Sequence, residues 1–249
     1  MLAAATILGS GGFVPTGRRE TSCLLLLPAD SDRAIVVDAG TGIRRLITDR
    51  GLLAGRQHVD VLLTHFHIDH ICGLAYLTEL APTGVTIHGP GRALYGAPTA
   101  DILARVFSPP IMPIRPEDVG VAVAEVAPGE TEFGGVGVRI RRQELHTNPT
   151  LGLRFGDALV WCTDTKDDPE TVEFAAGARV LAHDAWGPPA APGHAEPEAV
   201  GRLATRAGVP AVVLIHVPPL ADEADLQTRA ATEHDHVTVA TDGLDLLAL

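Results

Sequence analysis

The segment Val59–Leu74, VDVLLTHFHIDHICGL, decides how the rest of this chain is read. Val59, Val61, Leu62 and Leu63 form an apolar run of the length of a buried strand. The run ends in His65-Phe66-His67-Ile68-Asp69-His70, which puts three imidazoles and one carboxylate within six residues. Side chains alternate along a strand, so His65 and His67 point the same way. The turn into a following helix carries Asp69 and His70 toward a second position. One short segment can therefore serve two neighbouring metal ions, and imidazole with carboxylate suits zinc, iron or manganese. The plain alternative is a solvated histidine-rich loop, and the apolar strand leading into it argues against that.

Outward from this segment the pattern alternates between strands and helices. Short β-rich runs fall at Cys23–Leu27, Ala34–Val37, Val59–Leu63, Val85–His88, Val121–Val126, Val136–Arg141, Leu151–Phe155, Ala158–Cys162, Arg179–Ala182, Ala211–Ile215 and His236–Ala240. The N-terminal MLAAATILGSGGF reads as a first strand running into a glycine turn. Helices are predicted at Gly42–Thr48, His70–Leu80, Thr99–Phe107, Asp168–Ala176, Pro197–Ala207 and Asp222–Thr232. Two proline-rich stretches, Ser108–Pro116 and Gly187–Gly193, read as loops crossing an open site, because strand patterns continue on either side. Strands interleaved with helices throughout predict one domain, residues 1–249, built on two sheets.

Composition narrows the function classes. The 249 residues carry a formal net charge of −12, whereas a duplex or tRNA binder usually shows a basic footprint. Arg139, Arg141 and Arg142 form the tightest basic cluster, with Arg44 and Arg45 a lesser pair, and both read as solvated faces. Extended nucleic acid is not the expected partner. Cys23, Cys72 and Cys162 are odd in number and far apart, which points to a reducing, cytoplasmic setting. No run of 18 apolar residues predicts a membrane span.

The motif His65-x-His67-x-Asp69-His70 resembles the signature of the metallo-β-lactamase superfamily. His146 in RRQELHTNPTLGLRF, Asp164 in ALVWCTDT and His216 in AVVLIHVPP follow β-rich segments in the order in which that family supplies its remaining ligands. The resemblance implies an α+β four-layer αββα sandwich, two mixed sheets with helices outside. It also implies two divalent ions, zinc first, with manganese or iron as alternatives. His65, His67 and His146 would hold one ion and Asp69, His70 and His216 the other, with Asp164 between them. Asp38, in the VVDAG turn, would orient ligands from outside the coordination sphere.

LGSGGFVPTGRRETSCLLL, IVVDAGTGIRRL and the closing VTVATDGLDLLAL resemble the ribonuclease Z-like branch and its phosphodiesterase relatives. In VLAHDAWGPPAAPGHAEPEAVGRLATRAG, His183-Asp184 and His194 resemble that branch's two linked loops, with Asp in place of Glu at 184 and no Ser-Thr after His194. The carry-over makes His194 the proton donor to the leaving group, supported by His183 and Asp184. Ribonuclease Z carries a long basic arm between its third histidine and its bridging aspartate. Here 17 residues, enough for two strands, separate His146 from Asp164. FSPPIMPIRPEDVG resembles the corresponding loop of compact members. The expectation is therefore a hydrolase of a small, phosphate-containing substrate, a cyclic phosphodiester first. A hydroxide generated between the metals would attack phosphorus in line, with Asp69 orienting it. Hydrolysis of a thioester, lactone or β-lactam at the same site, or a non-catalytic metal-binding role, are the alternatives; a homodimer is compatible with all three. His88 reads as structural, His58, His234 and His236 as exposed, GSGG at 9–12 as a tight strand turn, and Asp167/Asp168 as a helix cap.

Overall fold

In the computed structural model, residues 1–80, 84–187 and 192–249 are described; most of the proline-rich stretch Gly187–Gly193, residues 188–191, lies outside them. Among the described residues thirteen strands form two sheets. The first sheet holds β1 (Leu2–Gly9), β2 (Cys23–Pro28), β3 (Arg33–Val37), β4 (His58–Leu62), β5 (Gly84–Gly89) and β6 (Val121–Glu125), in that spatial order. The second holds β7 (Gly129–Phe133), β8 (Val136–Gln143), β9 (Thr150–Phe155), β10 (Leu159–Cys162), β11 (Val180–Asp184), β12 (Ala211–Ile215) and β13 (Val237–Val239), again in chain order across the sheet. Each sheet is mixed: β1, β2 and β3 pair antiparallel and β3 to β6 parallel, while β7 to β10 pair antiparallel and β10 to β13 parallel.

Three apolar clusters define four layers. Leu24, Leu26, Ile35, Val37 and Leu62 of the first sheet pack with Leu153, Phe155, Trp161, Val213 and Ile215 of the second, so the sheets lie face to face. The outer face of the first sheet (Leu25, Val36, Val61) meets Leu46, Leu74, Leu77 and Phe107 from helical segments. The outer face of the second (Val160, Leu181, Leu214) meets Phe174, Val200, Ala204 and Leu226. Strands covered on both faces need apolar residues at successive positions, which is why β2, β10 and β12 read as nearly continuous hydrophobic runs and β3 as one after Arg33, while β4 is interrupted by Asp60 and β11 ends in His183-Asp184. β8 is buried only at alternate positions, and its outer side carries Arg139 and Arg141. Arg141 bonds Asp168 at 2.7 Å and Arg142 pairs with Glu144, so two of the cluster's three arginines are tied up locally, while Arg139 lies over the Phe174 ring.

Three local expectations change. The segment predicted as a helix over His70–Leu80 is one α-turn, Ile68–Ile71, followed by a 3₁₀ helix, Cys72–Glu79. The tighter winding goes with close packing of Gly73 on the Ala39–Gly40 loop, where any Cβ would overlap the Gly40 carbonyl. β7, GETEF, is a strand that composition hid, because only Phe133 is buried along this polar edge. His58 and His234 are half-buried rather than exposed, held by Thr86 and the Val209 carbonyl. Among the described residues no helix is long and apolar enough to cross a membrane.

Candidate metal centre

The residues singled out by the sequence sit at the carboxyl ends of strands, where the parallel parts of both sheets open toward the same edge. Asp38 follows β3, His65 to His70 follow β4, His146 follows β8, Asp164 follows β10, His194 comes after β11 and His216 follows β12. The backbone bends sharply as it leaves several of these strands. Asp38, Asp164 and His216 have φ of 58°, 49° and 57°, and with Phe13 (65°) they are the non-glycine residues of positive φ among those described. Such conformations cost on the order of 1–3 kcal/mol each and gather at functional sites.

Seven side chains converge there. Ligand atoms of His65, His67, His146 and Asp164 lie within 4.8 Å of one another, as do those of Asp69, His70 and His216. Asp164 faces both groups. Its Oδ1 is 4.0 Å from His65 Nε2 and 3.6 Å from His146 Nε2. Its Oδ2 is 3.0 Å from His70 Nε2 and 3.4 Å from His216 Nε2. Asp69 Oδ2 completes the second group at 3.5 Å from His70 Nε2 and 3.3 Å from His216 Nε2. Donors about 2.0–2.1 Å from a tetrahedral zinc ion stand about 3.4 Å apart, and these separations scatter around that value.

The rings are aimed by partners on their far sides. Asp38 accepts from the Thr64 backbone N–H at 2.8 Å, from Thr64 Oγ1 at 3.0 Å and from His70 Nδ1 at 2.8 Å. Thr64 gives its hydroxyl proton to Asp38, so its oxygen accepts from His65 Nδ1 at 3.0 Å. His146 Nδ1 donates to the Gly193 carbonyl at 2.9 Å. The proton of each ring is thereby fixed on Nδ1 and the lone pair on Nε2. The Nε2 atoms of His65 and His70 are buried and make no aligned hydrogen bond. Buried polar atoms are normally satisfied, and here they share a carboxylate-rich space. The donor set therefore fits divalent ions. His67 differs: its Nε2 meets Asn148 at 3.1 Å while its Nδ1 faces His146 Nε2 at 3.3 Å.

Electrostatics point the same way. Burial, reinforced by neighbouring His70, pushes His65 well below its ordinary value, so its imidazole is neutral. Burial would do the same to His70, but Asp164, Asp38 and Asp69 outweigh it and raise the ring well above. His216 is raised likewise, burial being overcome by Asp164 and Asp69. Asp164 is held well below the usual carboxylate range because His216, His70 and His65 outweigh the opposing effect of its burial. The carboxylates thus create a place for positive charge, which protons on His70 and His216 would fill and from which a divalent ion would displace them.

The loop pair after β11 divides. His194 Nδ1 bonds Asp184 Oδ2 at 2.7 Å, and one of its ring nitrogens lies within 4.8 Å of ligand atoms of Asp164 and His216. His183 does not join them. Successive strand residues face opposite ways, and His183 pairs in register with Cys162 and Leu214, both on the helix-covered face. Its ring is fully buried there and bonds the Asp184 carbonyl at 2.8 Å, so the support expected from His183 is corrected to Asp184 alone.

Three contributors escaped the sequence reading. GSGG is not merely a turn: Gly12 lies against His216, where a Cβ would stand 2.5 Å from the ring, and Phe13 N–H donates to Asp69 Oδ2 at 2.9 Å. Asp242 near the C-terminus clamps that loop through Ser10 N at 2.9 Å and Ser10 Oγ at 2.7 Å. Trp186 stacks on His194, with centroids 4.7 Å apart and planes at 23°. His88, by contrast, stands apart from the cluster, bonding Asp60 at 2.9 Å beside Phe133. A cleft of about 440 Å³ opens over the centre between Phe13, Trp186 and His194.

Comparison with known proteins agrees with this geometry. A ribonuclease Z from Mycobacterium sp. (strain KMS) is 32% identical over 261 residues, covering 91% of this chain and 89% of the relative. The metallo-β-lactamase fold protein YhfI from Bacillus subtilis superposes with a TM-score of 0.80 at 20% identity, covering 98% of this chain and 99% of YhfI. A diphosphatase of the PhnP family gives 0.75 at 20% identity, covering 97% and 96%. At that identity the two structures speak for the fold alone. Residues 33–217 match the beta-lactamase superfamily domain, and the chain belongs to that superfamily, in its ribonuclease Z-like branch.

Proposed function

We propose that this protein is a dinuclear metal-dependent phosphodiesterase acting on a small phosphodiester. The observation that carries the reading is Asp164, whose two oxygens face two separate histidine groups, with the His194–Asp184 pair alongside. His65, His67 and His146 would hold one ion, Asp69, His70 and His216 the other, and Asp164 both. Bound there, two divalent ions would supply an activated water and neutralise charge on the phosphoryl oxygens.

The chain's own residues do the rest. His194, held by Asp184 at Nδ1 and by the face of Trp186, presents Nε2 to the leaving oxygen and gives it a proton. The Phe13 N–H fixes Asp69, so the carboxylate keeps its aim while substrate enters. Phe13 and Trp186 flank the cleft and limit water around the departing group. The ribonuclease Z relative supports a phosphodiester substrate. The segment between His146 and Asp164 supports a small one, being filled by β9 and β10 with no inserted arm.

The test is reconstitution with zinc or manganese, followed by metal counting and assays on bis(p-nitrophenyl) phosphate and a cyclic-nucleotide panel. Two equivalents of metal per chain and turnover of a diester are expected. No diester turnover with either metal would refute the reading, and turnover of lactone or acyl-glutathione probes in its place would assign acyl chemistry.

A further inference from the structure

A second hollow, about 280 Å³, lies on the other side of His67 from the metal centre. His67 lines both spaces, its Nδ1 turned to His146 and its Nε2 to Asn148. One wall is aromatic: Phe66 and Tyr95 meet edge to face, centroids 5.4 Å apart, and Tyr95 is fixed by its hydroxyl donating to the Pro149 carbonyl at 2.7 Å. The same hollow is lined by Arg105, just beyond the helix Thr99–Leu103. Its guanidinium is exposed and makes no ion pair or hydrogen bond among the described residues. In a chain with 31 acidic and 19 basic residues, an uncommitted arginine in a hollow adjoining the cleft over the candidate centre stands out as a local positive charge. Arginine suits phosphate because its planar fork donates two parallel hydrogen bonds. Aromatic faces suit a nucleobase, whose stacking tolerates any ring.

We propose that this hollow is a subsite for a second phosphate on a nucleoside-like substrate, with Arg105 as its anchor. The proposal rests on the phosphodiesterase reading for the first phosphate, which lies at the metal centre. A substrate draped over His67 would then place its scissile group in one cleft and its second anion in the other. The metal-centre cleft, about 440 Å³, is already inside the roughly 300–1,000 Å³ of ordinary small-molecule sites, and the hollow of about 280 Å³ beside it extends the space open to a longer substrate.

Binding without turnover tests it. Calorimetry on the zinc-loaded protein compares thymidine 3′,5′-bisphosphate with thymidine 5′-phosphate. The bisphosphate should bind about tenfold more tightly, Arg105→Ala should bring the ratio to near one, and Arg105→Lys should retain part of it. Arg139→Ala, an exposed arginine on β8, should leave the ratio unchanged. Equal affinities in the wild type, a ratio unmoved by Arg105→Ala, an equal loss in Arg139→Ala, or binding of neither nucleotide would each overturn the proposal. Hydrolysis of the p-nitrophenyl ester of thymidine 5′-phosphate is scored separately: its absence sinks the phosphodiesterase reading, whereas a lost affinity ratio with hydrolysis intact sinks only the subsite.

Discussion

Replacing Asp38 by Asn changes one atom and should disable one metal position selectively. Asp38 has no exposed surface and φ of 58°, a conformation asparagine adopts readily, so the backbone need not respond. The new amide has one allowed orientation. Its oxygen must take the place facing the Thr64 N–H, 2.8 Å away, because an NH₂ there would oppose donor to donor. The NH₂ then faces His70 Nδ1, 2.8 Å from the present carboxylate oxygen. It can only donate, so the imidazole must accept at Nδ1 and carry its proton on Nε2, the atom facing Asp69 and Asp164. That nitrogen then has no lone pair for a metal. Loss of such an outer partner typically costs 10–100-fold in metal affinity, about 1.4–2.7 kcal/mol. The loss should fall on the position formed by Asp69, His70 and His216. His65 keeps its Thr64 contact, so the other position should weaken by less than about threefold. Zinc titration of the apo protein against a chromophoric chelator resolves the two steps. Unchanged affinity at both, or equal loss at both, would refute the tautomer argument.

Three further outcomes follow from separate contacts. His194→Ala should slow hydrolysis of diesters with alkoxide leaving groups about 10²–10⁴-fold, with Asp184→Asn behind it, yet slow p-nitrophenyl esters little, since that leaving group needs no proton; equal losses on both substrate types would remove His194 from proton transfer. Gly12→Ala should lower kcat/KM about 100-fold, because the His216 ring must shift by roughly 1 Å to escape the added methyl; wild-type kinetics would show the loop is not tight there. Asp60→Asn should cost about 2–3 kcal/mol, discounted from a fully buried pair because Arg33 is over a third exposed, and lower Tm by roughly 4–12 °C. Burial alone would raise the Asp60 carboxyl, but His88 and Arg33 hold it below the usual carboxylate range. Its stabilising contribution is therefore present above that range and fades as pH falls through the depressed value. The gap between variant and wild type in calorimetric scans should close in acid, and a gap independent of pH would contradict this.

The sequence disclosed the candidate centre as far as local rules reach. His65, His67, Asp69 and His70 are contiguous, so strand alternation followed by a turn was enough to bring them together. His146, Asp164 and His216 were legible because each follows a β-rich segment in the order in which the metallo-β-lactamase family supplies its remaining ligands, a resemblance rather than a local rule. The same alternation, applied to Val180–Asp184, would have separated His183 from Asp184: neighbours in a strand face opposite sides, and His183 falls on the helix-covered side with Cys162 and Leu214. What stayed hidden depends on long-range approach. The Phe13 N–H reaches Asp69 across 56 positions, and Asp242 steadies Ser10 across 232. Nothing local in GSGGF or Trp186 announces those contacts, because a backbone amide and an indole face carry no pattern of their own. The non-glycine residues with positive φ supply the remaining link. Phe13, Asp38, Asp164 and His216 come from four distant segments, and each holds at one point in space a positive φ that non-glycine residues seldom adopt, Asp and His more readily than Phe. Strain concentrated there is tolerated because the surrounding hydrogen bonds over-determine it, and it presents Asp164 to both histidine groups at once.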